Sequence, residues 1–165
     1  MLLKDIKAYC HYFGLNGFGL IRLLFLRYFY VIVLIRLQSI SNPLFIPVKF
    51  LSKVLLSMLF NIEVAGACKI GAGLILPHPQ NIIIGAGSLG KNCIIMANVT
   101  IGASLPDPAF TLSLRPAIGA NVLVGTGACV IGGITLGDNV KVGALTLVTK
   151  SVPDNGVVVG KNEIK

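Results

Sequence analysis

His78 stands between two prolines, in Leu76-Pro77-His78-Pro79-Gln80, and Glu63 precedes it by 15 positions. Imidazole is the side chain that most readily takes up a proton near neutral pH. A carboxylate within reach would hold that ring in one tautomer and stabilise its protonated form. The prolines stiffen the corner on both sides. If the fold stacks position 63 against position 78, the two make a general base able to draw a proton from a hydroxyl. If it does not, they are an exposed turn histidine and an exposed charge.

The elements that must do this stacking are legible as a repeat. From Val64 to Val152 an aliphatic residue returns every six positions. The frame runs Val64, Ile70, Leu76, Ile82, then Leu89, Ile95, Ile101, then Ile118, Val124, Val130, Leu136, Val142, Val148. Neither a helix (period 3.6) nor a flat two-faced strand (period 2) gives six. A hexapeptide period predicts a parallel β-helix, in which three units close one coil of about 18 residues. The aliphatic residues point inward, each contributing about 1.5–3 kcal/mol on full burial. Stacked coils then share one continuous core. Side chains one coil apart lie about 5 Å from each other. Glu63 and His78 are separated by close to one such coil. The frame slips by one between Ile82 and Leu89 and is broken from Ala103 to Pro116, a segment holding Pro106, Asp107, Pro108 and Phe110. A regular coil has no use for this insertion, and long loops in compact repeats are more often functional than idle.

Residues 1–61 have a different character. Lys4, Lys7, Arg22, Arg27, Arg36, Lys49 and Lys53 face Asp5 as the only acid before position 61. This region therefore carries most of the net charge of +8. A short helix is expected to about Phe13. A second lies within 18–40, its arginines reaching outward from an apolar body. The uncharged run Tyr28–Ile35 is far shorter than the roughly 20 residues that span a bilayer. Asn42-Pro43 breaks this helix. A third helix, 43–60, repeats Phe50, Val54, Leu55, Met58 and Leu59 at helical spacing. These helices are expected to cap the open end of the stack, and to contact other subunits or a membrane surface. With 55% hydrophobic and 12% charged residues among 165, the chain is too apolar for disorder and has surface to bury against a partner. The cations interrupt apolar runs instead of lining a polar, aromatic face, so nucleic acid is not an expected partner. Four scattered cysteines and two histidines offer no metal-ligand spacing, and no metal is expected. Cys68 and Cys129 read as small apolar filler in a reduced, cytoplasmic setting. No cleavage-site pattern of a signal peptide is seen.

Residues Ile62 to Gly73 followed by Leu76-Pro77-His78, together with Asn98-Val99-Thr100-Ile101-Gly102 and Ile118 to Gly133, resemble the left-handed β-helix acetyltransferases of the serine acetyltransferase type. The resemblance covers about 62–160. It implies a mainly β chain: a left-handed parallel β-helix over 62–165 with loop 103–116, preceded by the short apolar helical region 1–61. It implies a homotrimer, which could pair into a dimer of trimers, with active sites between neighbours. His78 matches the catalytic histidine, and Glu63 its supporting acid, usually Asp. The backbone at Gly102-Ala103 matches the amide that steadies the oxyanion. Acetyl-CoA, the cosubstrate, would lie along the coils at Gly125, Thr126, Gly143 and Ala144, with Lys150 or Lys141 near its phosphates. Asn98 and Arg115 are candidate substrate contacts. Two departures matter. The acidic residue that precedes the histidine in serine acetyltransferases and helps hold the serine amine is here Pro77. Their second histidine is here Arg115. These departures favour an O-acetyltransferase acting on a sugar or glycan hydroxyl, lipid-linked acceptors included, at the inner face of the cytoplasmic membrane. Serine O-acetyltransferase is the nearest alternative, and a non-catalytic scaffold the alternative from another class.

Overall fold

The computed structural model of the protein describes residues 1–15, 27–40 and 42–160. Among the described residues three helices precede the repeat: α1 (Leu2–Tyr12), α2 (Arg27–Gln38) and α3 (Ile46–Phe60). Asn42 opens the short 3-10 turn Pro43–Phe45 by accepting the Leu44 N–H on its side chain. The expected break is therefore made by a cap and a proline together. Arg22 and most of the approach to α2 lie outside the described residues.

Thirteen short strands follow: β1 (Ile62–Val64), β2 (Lys69–Ile70), β3 (Ile82–Ile84), β4 (Ser88–Leu89), β5 (Ile94–Ile95), β6 (Thr100–Gly102), β7 (Ala117–Ile118), β8 (Leu123–Val124), β9 (Cys129–Ile131), β10 (Thr135–Leu136), β11 (Lys141–Val142), β12 (Leu147–Val148) and β13 (Val157–Val158). All pair in parallel, and they form three walls. The first wall is β1-β3-β6-β9-β12, the second β2-β4-β7-β10, the third β5-β8-β11-β13. Successive strands step from wall to wall, so the chain winds as a parallel β-helix. A regular coil carries Leu123 to Lys141, which is 18 residues. Every aliphatic residue of the six-residue frame is buried, Val64 through Val148.

What lets so short a strand turn a corner is asparagine, a signal the aliphatic frame does not contain. Asn61, Asn81, Asn98, Asn92, Asn121, Asn139 and Asn155 all have φ between 51° and 60°. Asn tolerates this left-handed backbone better than other residues with a side chain. Their amides join coil to coil: Asn61 to Asn81 to Asn98 at one corner, Asn92 to Asn121 to Asn139 to Asn155 at another.

Two expectations about the helical region are corrected. Arg36 does not reach outward. It is 8% exposed and turned into the molecule, where it pairs with Asp5. The stripe expected on α3 is not its buried face either. Ser52 and Leu56 are buried, while Phe50, Met58 and Leu59 are exposed. The helix is apolar on nearly every side, so spacing alone does not select which side packs on α2 and β1.

Candidate functional site

The outward residues of the first wall form the floor of a cleft of about 480 Å³, which the 103–116 loop roofs. Glu63 sits at one end on β1, exposed, because strand alternation sends Ile62 and Val64 inward. Thr100 and Gly102 of β6 lie in the middle, with Ala103, Pro106 and Arg115 around the rim. The Ala103 N–H donates to no acceptor among the described residues, which leaves it available to a bound group. A side chain at Gly102 would meet no atom within 4 Å. Packing therefore does not demand glycine there, and the gap leaves the backbone open to the cleft.

The loop is held by one clamp. Arg115 donates from Nη2 to the Asp107 carboxylate at 3.1 Å and to the Asp107 carbonyl at 2.8 Å. Its guanidinium carbon lies 4.4 Å from the centre of the Phe110 ring. The Thr111 N–H and hydroxyl also donate to Asp107, at 2.6 and 3.1 Å. Desolvation pushes the Asp107 carboxyl up, but these hydrogen bonds and the Arg115 charge outweigh it and hold it below its ordinary value. Arg115, expected as a substrate contact, thus spends its guanidinium mainly on ordering the loop, although it still borders the cleft.

Glu63 lines the cleft and His78 does not, and the two side chains do not touch as expected. Ile62 pairs with Ile82, so the first coil is 20 residues long and the rung neighbour of Glu63 is Ile83. The extra length is taken up between Ile75 and Ile82, where Pro77 and Pro79 are buried and His78 and Gln80 are exposed. The Asn61–Asn81 hydrogen bond closes the corner of these two coils; Glu63 follows Asn61 by two positions and His78 precedes Asn81 by three. No hydrogen bond or ion pair joins the two side chains among the described residues. A direct link between them therefore needs a side-chain movement or a bound group.

The segment leading to His78 is anchored from below by polar residues that the repeat did not reveal. Asp5, fully buried, takes two bonds from Arg36 at 2.7 and 2.9 Å, and accepts the Gly73 and Leu74 N–H groups at 2.6 and 3.2 Å. Arg36 also donates to the Ile70 and Gly71 carbonyls. Tyr9 is sandwiched on Leu76: its hydroxyl accepts the Leu76 N–H at 2.6 Å and donates to the Leu76 carbonyl at 3.3 Å. Burial drives its phenol pKa up, keeping the donor in place. A lone acid among seven cations, one helical turn before a tyrosine, was the sequence signal for this network.

The remaining candidates lie along the coils. Gly125 has a structural reason to lack a side chain, since a Cβ would come within 2.6 Å of the Ala144 N. At Gly143 a Cβ would meet Val159 at 3.1 Å. Thr126, Ala144 and Lys150 are exposed. Asn98, a proposed substrate contact, has its side-chain oxygen bonded to Asn81 and belongs to the corner ladder. Cys68, half-buried, has its thiol pKa pushed up to about 12 by burial, in line with filler.

Three stacked parallel walls with a roofed first-wall cleft define the class: a mainly parallel hexapeptide-repeat fold, the left-handed β-helix, with a short helical region in front. Among known proteins the chain is similar to serine acetyltransferases. It is 32% identical over 161 residues to the serine acetyltransferase of Buchnera aphidicola subsp. Schizaphis graminum, covering 96% of this chain and 61% of that protein. It is 36% identical over 100 residues to the Helicobacter pylori serine acetyltransferase, 60% of this chain and 57% of that one. The crystal structure of Neisseria gonorrhoeae serine acetyltransferase matches with a TM-score of 0.81 at 27% identity, over 97% of this chain and 62% of that chain. A serine acetyltransferase solved in complex with CoA has the same fold, with a TM-score of 0.78 at 24% identity over 96% of this chain and 65% of that chain. No family model matches the chain. The chain thus spans about three-fifths of the length of these curated relatives.

Proposed function

We propose that the chain is an acetyl-CoA-dependent O-acetyltransferase that acts as a trimer, with the first-wall cleft as its acyl-transfer site. His78 takes the proton of the acceptor hydroxyl as its oxygen attacks the thioester carbonyl. The Ala103 N–H receives the oxyanion of the tetrahedral intermediate, a contribution of about 10²–10³-fold per donor in other enzymes. Collapse breaks the carbon–sulfur bond, and the CoA thiolate takes the proton from His78. Glu63 orients the imidazole once an acceptor draws the corner together; catalytic hydrogen bonds are often long in unliganded enzymes. The observation that carries this reading is one cleft holding Glu63, the uncommitted Ala103 N–H and the open backbone of Gly102 beneath an ordered loop.

Serine is the acceptor that the similar proteins support. A glycan hydroxyl is the second reading, and one observation favours it. Pro77, buried, stands where the serine acetyltransferase pattern has an acid for the amine, and Arg115 is engaged by Asp107. Measuring acetyl-CoA consumption with serine against a panel of sugars and glycan precursors decides between them. Release of CoA with serine alone supports the first, and with sugars alone the second. Release with neither overturns the acyl-transfer reading.

A further inference from the structure

We propose that the hollow between α2, α3 and the first two coils, continued by the outer face of α3, binds an anionic phospholipid of a bilayer surface. The hollow measures about 660 Å³. Lys49 of α3, Lys69 of β2 and Lys91 of the next coil line it, and no carboxylate among the described residues does. Gln38 also lines it, and its Nε2 is buried with no hydrogen-bond partner among the described residues. An adjoining hollow of about 350 Å³ shares Lys49 and Gln38 and adds Ile46, Phe50 and Lys53. The two form one path from a hollow rimmed by lysines to an apolar helix surface.

That surface is broad. Phe50 is 70% exposed, Met58 79%, Leu44 81%, Ile46 61% and Leu59 62%. Pro43–Phe60 has a mean hydropathy of 1.6 over 18 residues and is only 11% buried. Lys49 and Lys53 interrupt it, α3 packs along α2, and the chain enters β1 directly after Asn61. The helix is therefore built to lie in an interface plane, apolar side down, with its cations at headgroup level. Hydrocarbon would cover the Phe50–Met58 side while a phosphodiester enters among Lys49, Lys69 and Lys91. A second copy is a poorer occupant. The α3 face of another copy carries no acid to meet Lys49 and Lys53, so α3 on α3 leaves these cations without a counter-charge. Ala65 borders both this hollow and the Glu63 cleft, so docking here brings the acyl-transfer site to the bilayer surface.

The binding claim is independent of the acetyl-transfer reading and is tested apart from it. The full chain is sedimented with phosphatidylcholine vesicles, with and without phosphatidylglycerol, at low and high salt. Binding to the phosphatidylglycerol vesicles alone, weakened by salt, is expected. Lys69→Gln/Lys91→Gln should lower partitioning by about thirtyfold, each lysine being worth about fivefold near an anionic surface. Phe50→Ser should lower it as well, while Lys141→Gln on the third wall should not; circular dichroism confirms that each variant is folded. Equal binding to both vesicle types, or binding insensitive to Lys69 and Lys91, overturns the proposal. So does protection by glycerol 3-phosphate without vesicle binding, which would mean a soluble phosphate ester. Self-association that Phe50→Ser abolishes, with no vesicle binding, would make α3 a contact between copies and overturn it too.

Discussion

Removing the Asp5 carboxylate should destabilise this protein more than removing any one of the core aliphatic residues of the coils. Asp5→Ala leaves the Arg36 guanidinium buried at 8% exposure, still bonded to two carbonyls but without its counter-charge. Breaking a buried pair from one side costs about 3–5 kcal/mol. The Gly73 and Leu74 N–H groups lose their acceptor in the same step, at about 1–3 kcal/mol for each group left unsatisfied. These costs overlap, yet together they approach the whole stability of a typical domain, about 5–15 kcal/mol. Arg36→Met should be comparably harmful. The double variant Asp5→Ala/Arg36→Met removes the unpaired charge and should be less destabilised than the sum, by up to about 3 kcal/mol. It should not return to the parent value, because Ile70, Gly71, Gly73 and Leu74 still lack partners. Asp5→Asn keeps an acceptor and should fall between parent and Asp5→Ala. Urea unfolding followed by circular dichroism gives all four values. A cost below about 1 kcal/mol for Asp5→Ala, or additive single variants, would refute the reasoning.

Leu145 holds φ +55° at an exposed corner where the adjoining coil has Gly127, also at positive φ, and the earlier coils have Asn98, Asn81 and Asn61. Leu145→Asn should therefore raise stability by about 1 kcal/mol, read as a higher Tm. The Asp107 carboxyl has a depressed pKa, so the loop clamp is fully present above the ordinary carboxylate value and is lost as pH falls through the folded-state value. Exchange of the Thr111 amide should accelerate in that acid range and at neutral pH in Arg115→Ala; an amide that exchanges alike in all three states contradicts this. Burial raises the Cys93 thiol to about 11, backbone hydrogen bonding at Val122 and Gly90 only partly offsetting this. At pH 8 it should alkylate about a hundredfold more slowly than an unperturbed thiol, which mass spectrometry of iodoacetamide-treated protein measures.

The coils were readable because their physics is one-dimensional: an inward aliphatic every six residues has one way to stack. Ile118 to Val148 lie where that frame puts them. The first coil was not readable to the same depth, because Pro77–Gln80 adds length without altering the aliphatic frame, which moved Ile83 beneath Glu63 in place of His78. The corner asparagines were visible as residues but not as a ladder, since their spacing is set by the coil and not by a motif of their own. The helices were readable as elements and not as packed objects. Arg36 is indistinguishable in sequence from a cation at an apolar boundary until Asp5 is brought against it across 31 positions. Asp107 and Arg115 each stand out in the sequence, but a loop's internal ion pair follows from its fold alone.

Acetyl transfer from CoA to a hydroxyl, with His78 as the base, is read out by thiol release from acetyl-CoA, with serine or a sugar panel as acceptor, by the parent chain and by His78→Ala. Acceptor-dependent release should fall by about 10²–10⁴-fold in the variant while the KM for acetyl-CoA is retained. No acceptor-dependent release by the parent chain, or equal rates from the two proteins, would contradict it.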